Sequence, residues 1–159
     1  MGETVIQVSS LGKRIKGKTI LEDISFEINR GDCVALIGPN GAGKTVLMSC
    51  ILGDKKPSSG QVLIDGKAGK AKNKIAVLLQ ENTIPNSLKV EELIAFFQSI
   101  SDNPLTNQEV QDLLQFKEDQ YQQFADKLSG GQRRLLAFVL CLIDKPKILF
   151  LDEPTAGMD

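Results

Sequence analysis

Eight residues, Gly38 to Thr45, read GPNGAGKT and follow directly on the apolar run Val34-Ala35-Leu36-Ile37. No other stretch restricts the possible folds so tightly. Glycine, four variable residues, glycine, lysine and a hydroxyl residue, set between a strand and a helix, make the phosphate-loop pattern. A loop that wraps a triphosphate must turn its backbone N–H groups inward, and its glycines can take the positive φ values and the close approach this needs. Lys44 supplies a point charge for the β- and γ-phosphates and the Thr45 hydroxyl can ligate Mg²⁺. The helix that opens here aims its positive end at the anion. ATP or GTP is the implied ligand. The plainer alternative is a glycine-rich turn before a helix, but the four fixed positions match by chance in roughly one of 10⁴ to 10⁵ windows.

With 159 residues, 42% hydrophobic and 25% charged, the chain has the composition of one globular domain folded around one main sheet. A net charge of −1 and a pI of about 5.6 argue against a broad electrostatic grip on nucleic acid or on an anionic membrane surface. Any membrane link is expected to run through a protein partner. The longest apolar run, Leu135 to Ile143, is far too short to span a bilayer, and Met1-Gly2-Glu3-Thr4 opens no secretory signal. Cys33, Cys50 and Cys141 lack metal-ligand spacing and sit beside apolar neighbours, so they read as buried thiols in a reducing cytosol.

Along the chain, apolar and polar residues alternate over Val5 to Val8 and Ile20 to Ile28, which predicts antiparallel strands with one wet face. Asn29-Arg30-Gly31-Asp32 turns the chain into the phosphate-loop strand. Beyond the loop, Val46 to Leu52 is a helix stopped by Gly53, and Pro57-Ser58-Ser59-Gly60 is a turn before a strand over Gln61 to Asp65. Gly66 to Lys74 reads as a solvated, lysine-bearing loop. Ile75 to Leu79 is a continuous apolar run, as in a strand buried on both faces, and it ends at Gln80, where a polar residue faces the ligand crevice. From Glu81 the composition changes, and Val90 to Ile100 and Glu109 to Phe116 carry apolar residues at helical spacing. They form a small helical subdomain that closes near Tyr121 to Lys127.

Two further motifs carry chemistry. Leu128-Ser129-Gly130-Gly131-Gln132 precedes a helix, Arg133 to Ile143, that is apolar nearly all round and so is expected to be buried. Serine at a helix start followed by two glycines makes a second anion-binding N-terminus, whereas a bland cap needs no glycine pair. Then Lys147 to Leu151 is a buried strand ending in Asp152-Glu153-Pro154. Adjacent carboxylates at the C-terminal end of such a strand suit two tasks, one holding the metal and the other orienting or deprotonating water.

Together these residues resemble the nucleotide-binding domain of ATP-binding cassette (ABC) transporters, over essentially Val5 to Asp159. The Walker A motif is GPNGAGKT, the Q-loop glutamine is Gln80 and the signature is LSGGQ. Walker B is ILFLDE at Ile148 to Glu153 and the D-loop is AGMD at Ala156 to Asp159, all in family order. The resemblance implies an α/β P-loop NTPase fold with a mixed, largely parallel central sheet, an antiparallel β subdomain and a small helical subdomain. Residues 1–80 and 128–159 would form the nucleotide-binding core and 81–127 the helical subdomain. It further implies a head-to-tail dimer, or a pair of cassettes, closing over two ATP molecules. Gly38, Pro39, Asn40, Gly41, Ala42, Gly43, Lys44, Thr45 and Val46 would cradle the phosphates. Ser129, Gly130, Gly131 and Gln132 would bind the γ-phosphate of the partner's nucleotide. Thr45, Gln80 and Asp152 would hold Mg²⁺, Asp152 through water, and Glu153 would be the general base, with Gln80 and Lys44 completing the catalytic set. A membrane-spanning permease subunit is the implied partner and the inner face of the cell membrane the implied location, with no nucleic acid bound.

Ile15 stands where the family has an aromatic residue against adenine, leaving apolar contact only. The family continues past the D-loop to a switch histidine and further strands, and this chain has no histidine. It therefore reads as a truncated cassette, expected to bind nucleotide poorly or to hydrolyse it slowly by itself. Transporter ATPase is the first reading. A soluble ABC-type ATPase of repair, chromosome or translation is the alternative, although such proteins usually carry long insertions before the signature. A nucleotide-binding module without catalysis is a third reading, of the fragment alone.

Overall fold

The computed structural model describes residues 2–68, 75–78 and 84–152. They belong to two compact units, Met1–Lys72 and Asn73–Asp159, and the architecture is α/β. Gln80, Glu153 and the AGMD segment lie outside the described residues.

In the first unit, β1 (Thr4–Ile15), β2 (Lys18–Asn29), β3 (Ser59–Ile64) and β4 (Lys67–Ala68) form an antiparallel sheet in the order β2-β1-β3-β4. The alternation in the sequence is realised directly, because Ile6 and Val8 on β1 and Ile64 on β3 are buried. Lys16 and Gly17 join β1 to β2 with φ of 48° and 79°, the paired left-handed conformations of a tight hairpin turn. Asp65 and Gly66 do the same between β3 and β4. The lysine-bearing loop expected from Gly66 is thus in part a short strand, and its remainder, 69–74, lies outside the described residues. Helix α1 (Lys44–Ile51) packs on β2 and buries Leu47, Cys50 and Ile51. Gly53, with φ of 80°, follows its end as the sequence indicates.

One expectation fails here. Val34 to Ile37 forms no strand and pairs with none among the described residues, and Val34, Leu36 and Ile37 are 59%, 47% and 91% exposed. Hydropathy predicts that such a run gains from burial, yet it names no hydrogen-bonding partner, and strand pairing depends on segments distant in sequence. Cys33 shares this exposure, so only Cys50 is a fully buried thiol and Cys141 is half-buried.

The second unit pairs β5 (Ile75–Leu78) with β6 (Ile148–Leu151) in parallel, Ile75 opposite Ile148 through Leu78 opposite Leu151. Between them run α2 (Val90–Ser99), α3 (Asn107–Leu114), α4 (Glu118–Tyr121), a 3₁₀ turn at Ala125–Lys127 and α5 (Gly130–Leu142). The two helical runs read from the sequence are α2 and α3, displaced by a residue or two at their ends. Helix α5 packs on α2, α3 and β5 and supplies Leu136, Ala137, Val139 and Leu140 to a core shared with Leu78, Val90, Leu93, Val110 and Leu114. A helix apolar on most of its surface is stable in water only when wrapped in this way.

Candidate functional site

The phosphate loop runs from Gly38 to Thr45 in the first unit. Gly41 and Gly43 have φ of 83° and 91°, a region that costs other residues about 1–2 kcal/mol. A Cβ on Gly43 would come within 2.9 Å of Leu21 Cδ2 and 3.3 Å of the Ile20 carbonyl oxygen, so glycine is also what lets the loop sit against β2. The Lys44 ammonium folds back over the loop, donating to the carbonyl oxygens of Gly38 at 2.7 Å and Pro39 at 3.0 Å. These bonds hold a cation at the mouth of a backbone ring. Gly43 is the N-cap of α1 and offers no side-chain oxygen to the helix's first N–H groups. Those donors are left for an anion. Thr45 lies in the first turn and is exposed, free to reach a metal ion.

In the second unit, LSGGQ forms the start of α5, which begins at Gly130, three residues earlier than the sequence periodicity places it. Ser129 is the N-cap, its Oγ accepting from the Gln132 N–H at 3.2 Å, while the Gln132 side-chain oxygen accepts from the Ser129 N–H at 3.0 Å. This reciprocal box fixes the turn. Ser129 uses its oxygen as an acceptor and keeps its hydroxyl hydrogen to donate. Gly130 and Gly131, at the first two helical positions, keep their N–H groups for an outside acceptor because no intrahelical partner exists there. The cap therefore employs the glutamine side chain and leaves the serine hydroxyl hydrogen and the two glycine amides as donors.

β5 and β6 end on one edge because they run parallel. The Asp152 N–H donates to the Leu78 carbonyl at 2.9 Å, extending the ladder one step and holding Asp152 at the tip of β6. Among the described residues no three His, Cys, Asp or Glu side chains converge as a metal cage. The exposed Thr45 hydroxyl is an oxygen donor of the kind that Mg²⁺ takes beside phosphates and water. Burial raises the Cys50 and Cys141 thiols above their ordinary range, which leaves both protonated and inert near neutral pH.

The family model described as ABC transporter matches residues 21–156. The chain belongs to the ABC transporter family. It is 34% identical over 158 residues to the spermidine/putrescine import ATP-binding protein PotA of Protochlamydia amoebophila (strain UWE25), covering 94% of this chain and 42% of that protein. To the methionine import ATP-binding protein MetN of Legionella pneumophila (strain Paris) it is 35% identical over 168 residues, covering 98% and 49%. The chain thus spans about half the length of these ABC relatives. Among solved structures, cbiO1 from Clostridium perfringens, part of the ABC transporter complex cbiONQ, superposes with a TM-score of 0.82 at 28% identity, covering 99% of this chain and 68% of that one. The fold is accordingly that of the ABC P-loop NTPases.

Sequence reasoning passed over Arg133, Arg134 and Asn86. Arg133 Nη2 donates to the Ile84 carbonyl at 3.1 Å and to Asn86 Oδ1, and Arg134 Nη2 donates to the Asp152 carbonyl at 3.3 Å. The available signal was two adjacent arginines opening an otherwise apolar helix. Ile15, at the expected adenine position, ends β1 and is 36% exposed, offering aliphatic contact only.

Proposed function

We propose that this chain is the nucleotide-binding part of an ATP-hydrolysing transport subunit that works as a head-to-tail pair on a membrane-spanning permease. The observation that carries this reading is the pairing, in one ABC chain, of a Lys44-closed backbone ring with a serine-capped helix start whose glycine amides are unspent. Each is an anion site built from main-chain donors. An ATP held by Gly38 to Thr45 would meet the Ser129 hydroxyl and the Gly130 and Gly131 amides of the partner cassette, since donors preorganised for phosphate cost little to align. Lys44 would stay at the β- and γ-phosphates. Thr45, Asp152 and Gln80 would hold Mg²⁺, which when bound supplies positive charge to the γ-phosphoryl group. Glu153 would orient and deprotonate water, with Gln80 adjusting it. Family membership and the names of the ABC relatives support the transport role. No described helix is long and apolar enough to cross a membrane, consistent with attachment through a permease.

The test is nucleotide binding and steady-state hydrolysis by the complete protein. Lys44→Ala should weaken ATP binding by about tenfold or more, and Glu153→Gln should abolish turnover while ATP-bound dimers accumulate. Unchanged hydrolysis in Glu153→Gln would remove that residue from its role, and failure of the native protein to bind ATP would end the reading.

A further inference from the structure

Helix α5 carries its only two charged residues side by side near its start, on a surface that is otherwise mostly core. Both are half-buried. At successive helical positions their side chains leave the axis about 100° apart, so they serve different neighbours. Arg133 reaches Ile84 and Asn86, at the entrance to α2, and Arg134 reaches the Asp152 carbonyl at the tip of β6. These three oxygens, among the described residues, belong to uncharged carbonyl and amide groups, so these bonds act as directional ties. A guanidinium suits that use because its donors are fixed in a plane.

The Asp152 tie has a particular consequence. A peptide unit is planar, so holding the units on both sides of a residue fixes the direction of that residue's own Cα–Cβ bond. The Asp152 N–H is already held by the Leu78 carbonyl. The peptide units on both sides of the residue are therefore anchored, one by β5 and the other by α5. Asp152 and the acid that follows it in sequence are the carboxylates assigned above to metal and water. Meanwhile the other end of the same linkage, less than two turns away on α5, is the Ser129-Gly130-Gly131 anion site.

We propose that Arg134, supported by Arg133, is a positioning residue for ATP hydrolysis. It makes the anion-binding start of α5 and the tip of β6 move as one body, so that closure of the helix start on phosphate sets the aim of the Asp152 carboxylate. This rests on the ATPase reading above. In this scheme Arg134 acts through the Asp152 backbone.

The test compares Arg134→Ala, Arg134→Gln and Arg134→Lys in the complete protein, with native protein and Glu153→Gln as upper and lower references. Arg134→Ala should lower kcat by about tenfold or more while ATP affinity changes less than about twofold, the signature of an interaction needed in the transition state and not in binding. Arg134→Lys, which keeps one donor on a long stem, should recover most of that loss. If native protein hydrolyses ATP and folded Arg134→Ala keeps its kcat within about twofold, the positioning role is overturned and the ATPase reading stands. If Arg134→Ala fails to fold, Arg134→Gln and Arg134→Lys decide by the same split. Equal losses of kcat and affinity that lysine does not restore would assign Arg134 a structural role only. Native turnover no higher than that of Glu153→Gln would instead overturn the ATPase reading itself.

Discussion

The two anion sites proposed for this chain are made by opposite means. The phosphate loop is a backbone conformation: its glycines take left-handed angles, its lysine bonds to its own carbonyls, and the run leading into it is open to solvent. The α5 start is a packed device, held by a capping box at one end of a helix whose middle is core. A loop can hold its shape through local angles with little packing, whereas a helix end keeps its direction only as long as the helix is seated. Damage to packing should therefore reach the second site and spare the first.

The largest contrast comes from matched truncations. Leu136 is 0% exposed within the second unit's core, so Leu136→Ala should cost about 2–5 kcal/mol in denaturant unfolding. Ile37→Ala, on a side chain 91% exposed, should change stability by less than about 0.5 kcal/mol. A comparable loss at Ile37 would show that the run before the loop is buried in the working protein.

Next in size is Gly43→Ala. The added methyl group would meet Leu21, and the alanine would be held at a φ of 91°, at a cost of about 1–2 kcal/mol. Most of that should appear as lost ATP affinity, because the strain relaxes when the loop leaves its phosphate-binding shape. Isothermal titration against thermal melts separates the two. A pure stability loss with full affinity would contradict the backbone account of the loop.

Ser129 sharpens the comparison at smaller magnitude. Ser129→Ala should destabilise by about 1 kcal/mol and Ser129→Gly by only a few tenths, since glycine is a tolerable N-cap. Both remove the hydroxyl donor, so both should slow ATP-driven dimer closure alike. Closure rates that instead followed the stability difference would mean the serine acts only as a cap.

What the sequence disclosed follows the same division. Motifs whose chemistry is local were legible: GPNGAGKT leads into α1, LSGGQ opens α5, and a strand leads into Asp152, although β6 is half-buried with Leu151 40% exposed where a buried strand was expected. Helix α5 begins earlier than its apolar period indicates because glycines carry no hydropathy, and the cap that settles its start is a hydrogen bond between Ser129 and Gln132. The strand expected at Val34 to Ile37 was illegible for another reason, that its partner is a matter of non-local pairing. Arg133 and Arg134 were missed because periodicity treats a charge as solvent-facing, although a guanidinium can bury its stem and still reach a carbonyl.

The smallest effect concerns a second capping box, to which no ligand role is assigned, and so isolates capping from ligand chemistry. At the start of α3 the Thr106 N–H donates to Glu109 Oε2 at 2.7 Å and the Glu109 N–H donates to Thr106 Oγ1 at 3.2 Å. The Thr106 amide, and after it the Thr106 hydroxyl, holds the Glu109 carboxyl below its ordinary range, with Lys145 adding a little. A carboxyl lowered in the folded state contributes stability that is complete above its unfolded value and is lost as pH falls through the folded one. Stability should therefore decline below the ordinary glutamate range, about pH 4.3, and Glu109→Gln should remove that part of the decline because an amide oxygen still accepts from Thr106 without titrating. Unfolding midpoints measured from pH 7 to pH 3 decide it. The two curves running parallel would mean that the box holds without the charge.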